Sequence, residues 1–145
     1  MAEHLPDFSE LPELLKDVVR RHWQSFSDSG QLLPPSLERE LARVWAGSDY
    51  VAEQMVRRPA LVQWLAQAPL DERLHAGALT AQLQQELSAC DDEAAFHSVV
   101  RVFRHRHMCR IIWRDLSGRG NFTDAVADLS LLADTLIAGA LDWLH

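Results

Sequence analysis

Residues 91–145 read DDEAAFHSVVRVFRHRHMCRIIWRDLSGRGNFTDAVADLSLLADTLIAGALDWLH, a stretch with helical spacing on both sides of one short loop. Asp91, Asp92 and Glu93 put acids at the positive end of a helix dipole, so a helix opens there and reaches about Leu116. Ser117-Gly118-Arg119-Gly120-Asn121 is a loop, and Thr123 is the expected cap of a last helix. In that helix Ala125, Leu129, Leu132, Leu136, Ala140 and Trp143 follow a three-four spacing, while Asp124, Asp128 and Asp142 are assigned to the opposite, solvated side. Two long helices joined by so short a loop are expected to pack antiparallel.

Upstream, glycine and proline divide the chain into helix-length blocks, and no strand-like alternation stands out. Leu14, Leu15, Val18, Val19, His22, Trp23 and Phe26 predict a helix over 14–26, stopped by Ser27-Asp28-Ser29-Gly30. Pro34-Pro35-Ser36 starts the next, with Ser36 as N-cap and Leu37, Leu41, Val44 and Trp45 on one face. Gly47-Ser48-Asp49 ends it and caps a short helix over 50–58, and Pro59 sits in the first turn of a helix that runs through Trp64 to Gln67. Pro69 breaks the pattern, and a Leu- and Gln-rich helix is expected over 71–88. The fold class is therefore all-α: a bundle of about six to seven helices forming one helical region over 1–145.

The 145 residues carry 14 Lys plus Arg against 21 Asp plus Glu, a net charge of −7, with 48% apolar and 24% charged residues. That is a globular composition, and a chain of this length buries roughly 68–70% of its unfolded surface. The acidic balance argues against nucleic acid as a partner, since phosphates need cationic charge facing them. No apolar run approaches the roughly 20 residues that cross a bilayer, so no membrane partner is expected. The first seven residues lack a positive segment followed by an apolar one, so they do not read as a secretory signal. Cys90 and Cys109 are expected to be free thiols in a reducing cytosol, which makes the expected location cytoplasmic.

Motifs for catalysis are missing. The chain has no G-x-G-x-x-G, no Walker-type loop, no G-x-S-x-G elbow and no Asp-x-Asp pair for magnesium. His105 and His107 lie about 200° apart on a helix and cannot share an ion, although His105 and Cys109 share a face. The distinctive charge lies between Arg101 and Arg119, which hold six of the 14 basic residues. At about 100° per residue from Phe96, the side chains of Phe96, Val99, Val100 and Phe103 share one arc, and Arg106, Arg110 and Arg114 continue it. An arginine stripe that prolongs an apolar stripe implies partly buried guanidinium groups, which need partners. Ion pairs to Asp115, Asp124, Asp128 or Asp134 are one reading, and an anion contact is the other. Trp23, Trp45, Trp64, Trp113 and Trp143 occupy helical apolar positions and are expected in the core.

Three blocks resemble the glutamate–ammonia-ligase adenylyltransferase family, bifunctional enzymes that modify glutamine synthetase. The first runs from Ser48-Asp49-Tyr50-Val51 through Pro59 to Trp64-Leu65. The second is Phe103-Arg104-His105-Arg106-His107-Met108-Cys109-Arg110-Ile111-Ile112-Trp113-Arg114-Asp115-Leu116, similar to an Arg-rich helix ending Arg-Ile-x-x-Arg-Asp-Leu. The third is Leu129-Ser130-Leu131-Leu132-Ala133-Asp134-Thr135-Leu136-Ile137, similar to Leu-Ser-x-Leu-Ala-Asp-x-x-Ile. The resemblance covers 48–145, and 1–47 matches only as a generic helical lead.

The resemblance implies a parent with two nucleotidyltransferase domains, one removing AMP from a glutamine synthetase tyrosine by phosphorolysis and one adding it from ATP. Magnesium and ATP are implied for the parent, and no cofactor for this segment. The implied partners are the nucleotidyltransferase domain of the same polypeptide, glutamine synthetase and a PII signalling protein. The family's Gly-Gly or Gly-Ser turn and Asp-x-Asp carboxylates would follow His145, so no catalytic residue carries over. The expectation is an N-terminal helical fragment that frames the adenylyl-removing domain, with Arg106, Arg110, Arg114 and Asp115 as candidates for binding or domain docking. His145 follows Leu144 with no capping residue, so the sequence is expected to stop in mid-helix. The alternative is a free-standing helical interaction module. A helix-turn-helix DNA reader would use the Arg-rich helix, but Asp124, Asp128, Asp134 and Asp142 follow with no compensating base.

Overall fold

A computed structural model describes residues 6–145. The chain forms α1 (Glu13–Asp28), α2 (Pro35–Gly47), α3 (Asp49–Arg57), α4 (Pro59–Gln67), α5 (Ala76–Ser88), α6 (Glu93–Leu116) and α7 (Phe122–Leu144). No strand occurs among the described residues. Two apolar clusters organise the bundle. The first takes Val19 and Phe26 of α1, the inner faces of α2, α3 and α4, and Cys109 and Trp113 from α6. The second takes Leu79, Leu83 and Leu87 of α5, Phe96, Phe103 and Ile111 of α6, and Leu132 of α7. Helix α6 thus belongs to both clusters, which explains why its apolar residues occupy no single stripe.

The last two helices run antiparallel. Phe96 near the start of α6 stacks on Trp143 near the end of α7, with ring centroids 4.4 Å apart. At the opposite end Arg114 of α6 reaches Asp124 of α7 at 3.4 Å. Both long helices begin with a side-chain cap: Asp92 accepts from the Ala95 amide at 2.8 Å, and Asn121 accepts from the Asp124 amide at 2.8 Å. Asn121, and not Thr123, is therefore the cap of α7. Its carboxamide two residues earlier is already placed to take the free amide. Ser48 caps α3 through the Val51 amide at 3.2 Å, as its place before Asp49 suggests.

Four other expectations need correction. Ser36 does not cap α2: the helix begins at Pro35, whose missing N–H is free of cost in a first turn, and the Ser36 hydroxyl donates to the Ala66 carbonyl at 3.3 Å. Leu14 and Leu15 fit the apolar spacing of α1 but are exposed, because the helix meets its neighbours through Val19 and Phe26. Helix α5 starts at Ala76, not near Asp71, because backbone groups before it are held by side chains from other helices. Asp128 is only 3% exposed, not solvated.

Helices α5 and α7 approach closely at Gly139, where an added Cβ would lie 2.6 Å from Leu83 Cδ2. We expect Gly139→Val to lower stability by about 1–3 kcal/mol through overpacking, even though valine is the better helix former. Thermal melting checks this, and a variant as stable as the parent would mean that the two helices separate freely at this point.

A candidate brace at the junction of helices α6 and α7

The three stripe arginines all lie partly buried on α6, and each has a different environment. The Arg106 guanidinium sits over the Trp64 ring, 5.8 Å from its centroid, a cation–π contact between α6 and α4. The same arginine faces Glu86 of α5, whose carboxyl is held above its ordinary range by burial, with the Arg106 charge opposing that rise. Arg110 donates through Nη2 to the carbonyls of Glu72 (3.2 Å) and Pro69 (3.4 Å), which ties α6 to the segment between α4 and α5. Burial disfavours its charged form, and the charges of Asp128 and Glu72 oppose that effect. Arg114 donates through Nη1 to Asp124 Oδ2. Gly120 leaves the room this requires, since a Cβ there would overlap the Arg114 guanidinium. The carbonyl of Arg114 also receives the amides of Arg119 and Gly120, both at 3.1 Å, and so closes the loop.

Asp115 does not join this group. It supplies a carbonyl to the Gly118 amide at 3.2 Å, and its side chain makes no ion pair among the described residues. The acid that pairs with the stripe, Asp124, comes from α7, and Asp128 one turn on pairs outside the stripe. Asp128 accepts from Arg73 Nη2 at 3.1 Å and from the Leu74 amide at 3.4 Å, and Arg73 also lies 3.7 Å from Asp124. Three arginines (73, 110 and 114) and two aspartates (124 and 128) thus bind the α4–α5 segment, α6 and α7 together. Arg110 Nη2 and Arg114 Nη1 are engaged within the bundle and two carboxylates lie beside them, which disfavours an exogenous anion there. The buried Nε atoms of Arg106, Arg110 and Arg114 find no hydrogen-bond partner among the described residues.

The pattern missed two further features. Arg119 of the α6–α7 loop grips Glu40 of α2 at 2.6 Å and Asp71 at 3.0 Å, and Trp113 Nε1 donates to the same Glu40 at 3.5 Å. Despite its partial burial, the Glu40 carboxyl is held below the usual carboxylate range by the Arg119 guanidinium and these hydrogen bonds. A glycine-flanked arginine in a loop was the available signal. The second feature is His107, 2% exposed, wedged between Phe103 (4.5 Å between ring centroids) and Trp64 (5.2 Å), with neither ring nitrogen hydrogen-bonded within the described residues. Burial, with the charges of Arg110 and Arg106 adding to it, lowers its pKa to about 4, so the imidazole is neutral near pH 7.

His105 and Cys109, which share a face of α6, have separate environments. The Tyr50 phenol, pushed up to about 12 chiefly by burial, shares a hydrogen bond with His105 Nδ1 at 2.6 Å. Burial also pushes the Cys109 thiol up to about 12, so it is protonated near pH 7. Among the described residues no group of three or more His, Cys, Asp or Glu side chains is gathered as a metal site. No helix is long and apolar enough to cross a membrane.

The sequence profile of glutamate-ammonia ligase adenylyltransferase matches residues 38–145, from the first turn of α2 through α7. The chain belongs to this family. Among its curated relatives, the bifunctional glutamine synthetase adenylyltransferase/adenylyl-removing enzyme of Pseudomonas aeruginosa is 44% identical over 153 residues, covering 97% of this chain and 16% of that protein. The proteins of the same name from Thioalkalivibrio sulfidiphilus and Shewanella loihica are 36% and 34% identical, covering 97% and 93% of this chain and 15% and 14% of theirs. The chain thus spans about one-seventh of the length of these adenylyltransferase relatives. No solved structure gives a match.

Proposed function

We propose that this chain is the N-terminal helical segment of a longer adenylyltransferase/adenylyl-removing enzyme, and that it scaffolds the nucleotidyltransferase domain that removes AMP from glutamine synthetase. The observation that carries the reading is the family match running through every helix from α2 to α7 in a chain that covers only 14–16% of its relatives. Magnesium, ATP, glutamine synthetase and the PII signalling protein then belong to the whole enzyme, acting in the cytoplasm, and not to these seven helices. In the scaffold the arginines position helices and do no chemistry. Arg110 and Arg114 hold α6 against the α4–α5 segment and α7, and Arg106 holds it against α4 and α5. Asp115, next to this brace with its carboxylate unpaired among the described residues, remains a docking candidate on the same end of the bundle.

The test is the double variant Arg110→Met and Arg114→Met in the full-length enzyme, which keeps unbranched apolar stems and removes both guanidinium groups. Losing these ties and leaving Asp124 and Asp128 undercompensated should cost about 2 kcal/mol. Melting of the helical segment is expected to fall, and phosphorolytic removal of AMP to fall with it. Unchanged melting together with unchanged phosphorolysis would rule out the scaffold role of this brace. Loss of AMP removal with melting unchanged would instead place the arginines on the substrate side.

A further inference from the structure

Helix α7 has a second face that none of the described residues covers. Its inner face packs on α5 and α6 through Leu132, Leu136, Ala140 and Trp143. Its outer face carries Phe122, Val126, Ile137, Leu141 and Leu144, each between 45% and 75% exposed. At about 100° per residue these five fall within about 100° of arc, along a helix of 23 residues, or roughly 34 Å. Between them the exposed positions are Ser130 and Ala133, small enough for a second helix to approach closely. From Asn121 to the last residue there is no lysine or arginine, and the charge bordering the face is Asp134. An apolar strip of this length on a chain of net charge −7 is unusual for a surface bounded by water.

We propose that this outer face of α7 is the seat of the rest of the same polypeptide, a segment of the nucleotidyltransferase domain absent from the structure. The inference rests on the reading of the chain as part of a longer enzyme. Two observations choose this occupant. The matched relatives are about six to seven times as long as the shared region, and the family match continues through α7. Charge argues against a second copy, because pairing α7 with itself would add an Asp134 from each copy at the margin of the strip with no lysine or arginine on the helix to offset them. The complementary surface is a helix or sheet face with apolar residues at its centre and arginine or lysine at its margin.

Cysteine accessibility tests this without disturbing the fold. In a Cys90→Ser background, with Cys109 buried, Ile137→Cys reports on the strip, and Arg20→Cys on an exposed part of α1 serves as control. Maleimide labelling, read at each cysteine by peptide mass spectrometry, is compared between the 145-residue chain and the full-length polypeptide. Ile137→Cys should label at least tenfold more slowly in the full-length polypeptide, with Arg20→Cys unchanged. Equal rates would overturn the assignment. If the rates are equal but Arg110→Met/Arg114→Met still depresses AMP removal, the scaffold reading stands and only the surface is wrong. If neither effect appears, both fall. Protection in the short chain that grows with its concentration would give the face to a second copy and overturn the proposal.

Discussion

Asp128→Ala is expected to lower the melting temperature by about 10 °C, the largest effect of any single acid in the chain. Its carboxylate, 3% exposed, receives Arg73 at 3.1 Å and the Leu74 amide at 3.4 Å, and its charge opposes the burial cost of Arg110. Removing one partner of a buried pair leaves the others uncompensated, which costs about 3–5 kcal/mol. For a chain of 145 residues each kcal/mol moves the midpoint by roughly 3 °C. Asp134→Ala, on the exposed side of the same helix, is the matched control and should stay within about 0.5 kcal/mol of the parent. Asp128→Asn keeps the acceptor for Leu74 while losing the charge, so its effect should fall between the two. A melting temperature for Asp128→Ala within a degree or two of the control would show that the α4–α5 segment is not held by this carboxylate.

The second large effect is a loss of stability on mild acidification, traced to His107. Its pKa is about 4 in the folded chain, against about 6.5 for an unfolded histidine, so between these values the unfolded chain binds more protons. The stabilisation is therefore complete above pH 6.5, is lost as the pH falls towards 4, and changes no further below that. The integrated loss is about 2 kcal/mol by pH 5 and about 3 kcal/mol by pH 4. His105 is also lowered by burial and adds in the same direction. Carboxylates such as Glu40, held low by Arg119, lose their contribution only at still lower pH, while Glu86, held high by burial, takes up its proton earlier and opposes the trend. The difference between the parent and His107→Leu, not the raw slope, therefore reports the imidazole. His107→Leu should remove most of this slope while leaving stability near pH 7 little changed, because neither ring nitrogen has a protein partner to lose. Chemical denaturation at pH 7 and pH 5 measures both; a slope identical to that of the parent would move the acid sensitivity elsewhere.

Much of the architecture was legible in the residue order. Pro59, Ser48 and Asp92 start helices by mechanisms that need only their neighbours, and the Gly-rich loop at 117–121 joins two long helices as its length requires. The resemblance blocks also pointed to the family that the profile match shows. What was not legible depends on partners remote in sequence. The segment before α5 carries helix-forming residues, but its amide at Leu74 is taken by a carboxylate 54 positions away. Asp128 was assigned to water because an acid on a helical wheel normally faces it; only Arg73, from another segment, makes its burial affordable. The arginine stripe was read correctly as partly buried and in need of partners. Which partners it takes, backbone carbonyls for Arg110 and Asp124 for Arg114, follows from the antiparallel seating of α6 and α7. His107 lay inside the family-like block, but its isolation between two aromatic rings comes from α6 being enclosed by both clusters.

The most direct test of the central claim, that these helices are the preface to an adenylyl-removing domain, is the nucleotide sequence beyond the codon for His145. The account predicts an open frame that soon encodes a Gly-Gly or Gly-Ser turn followed by Asp-x-Asp carboxylates able to hold magnesium. A stop codon at that point would contradict it and leave a free-standing helical interaction module in its place.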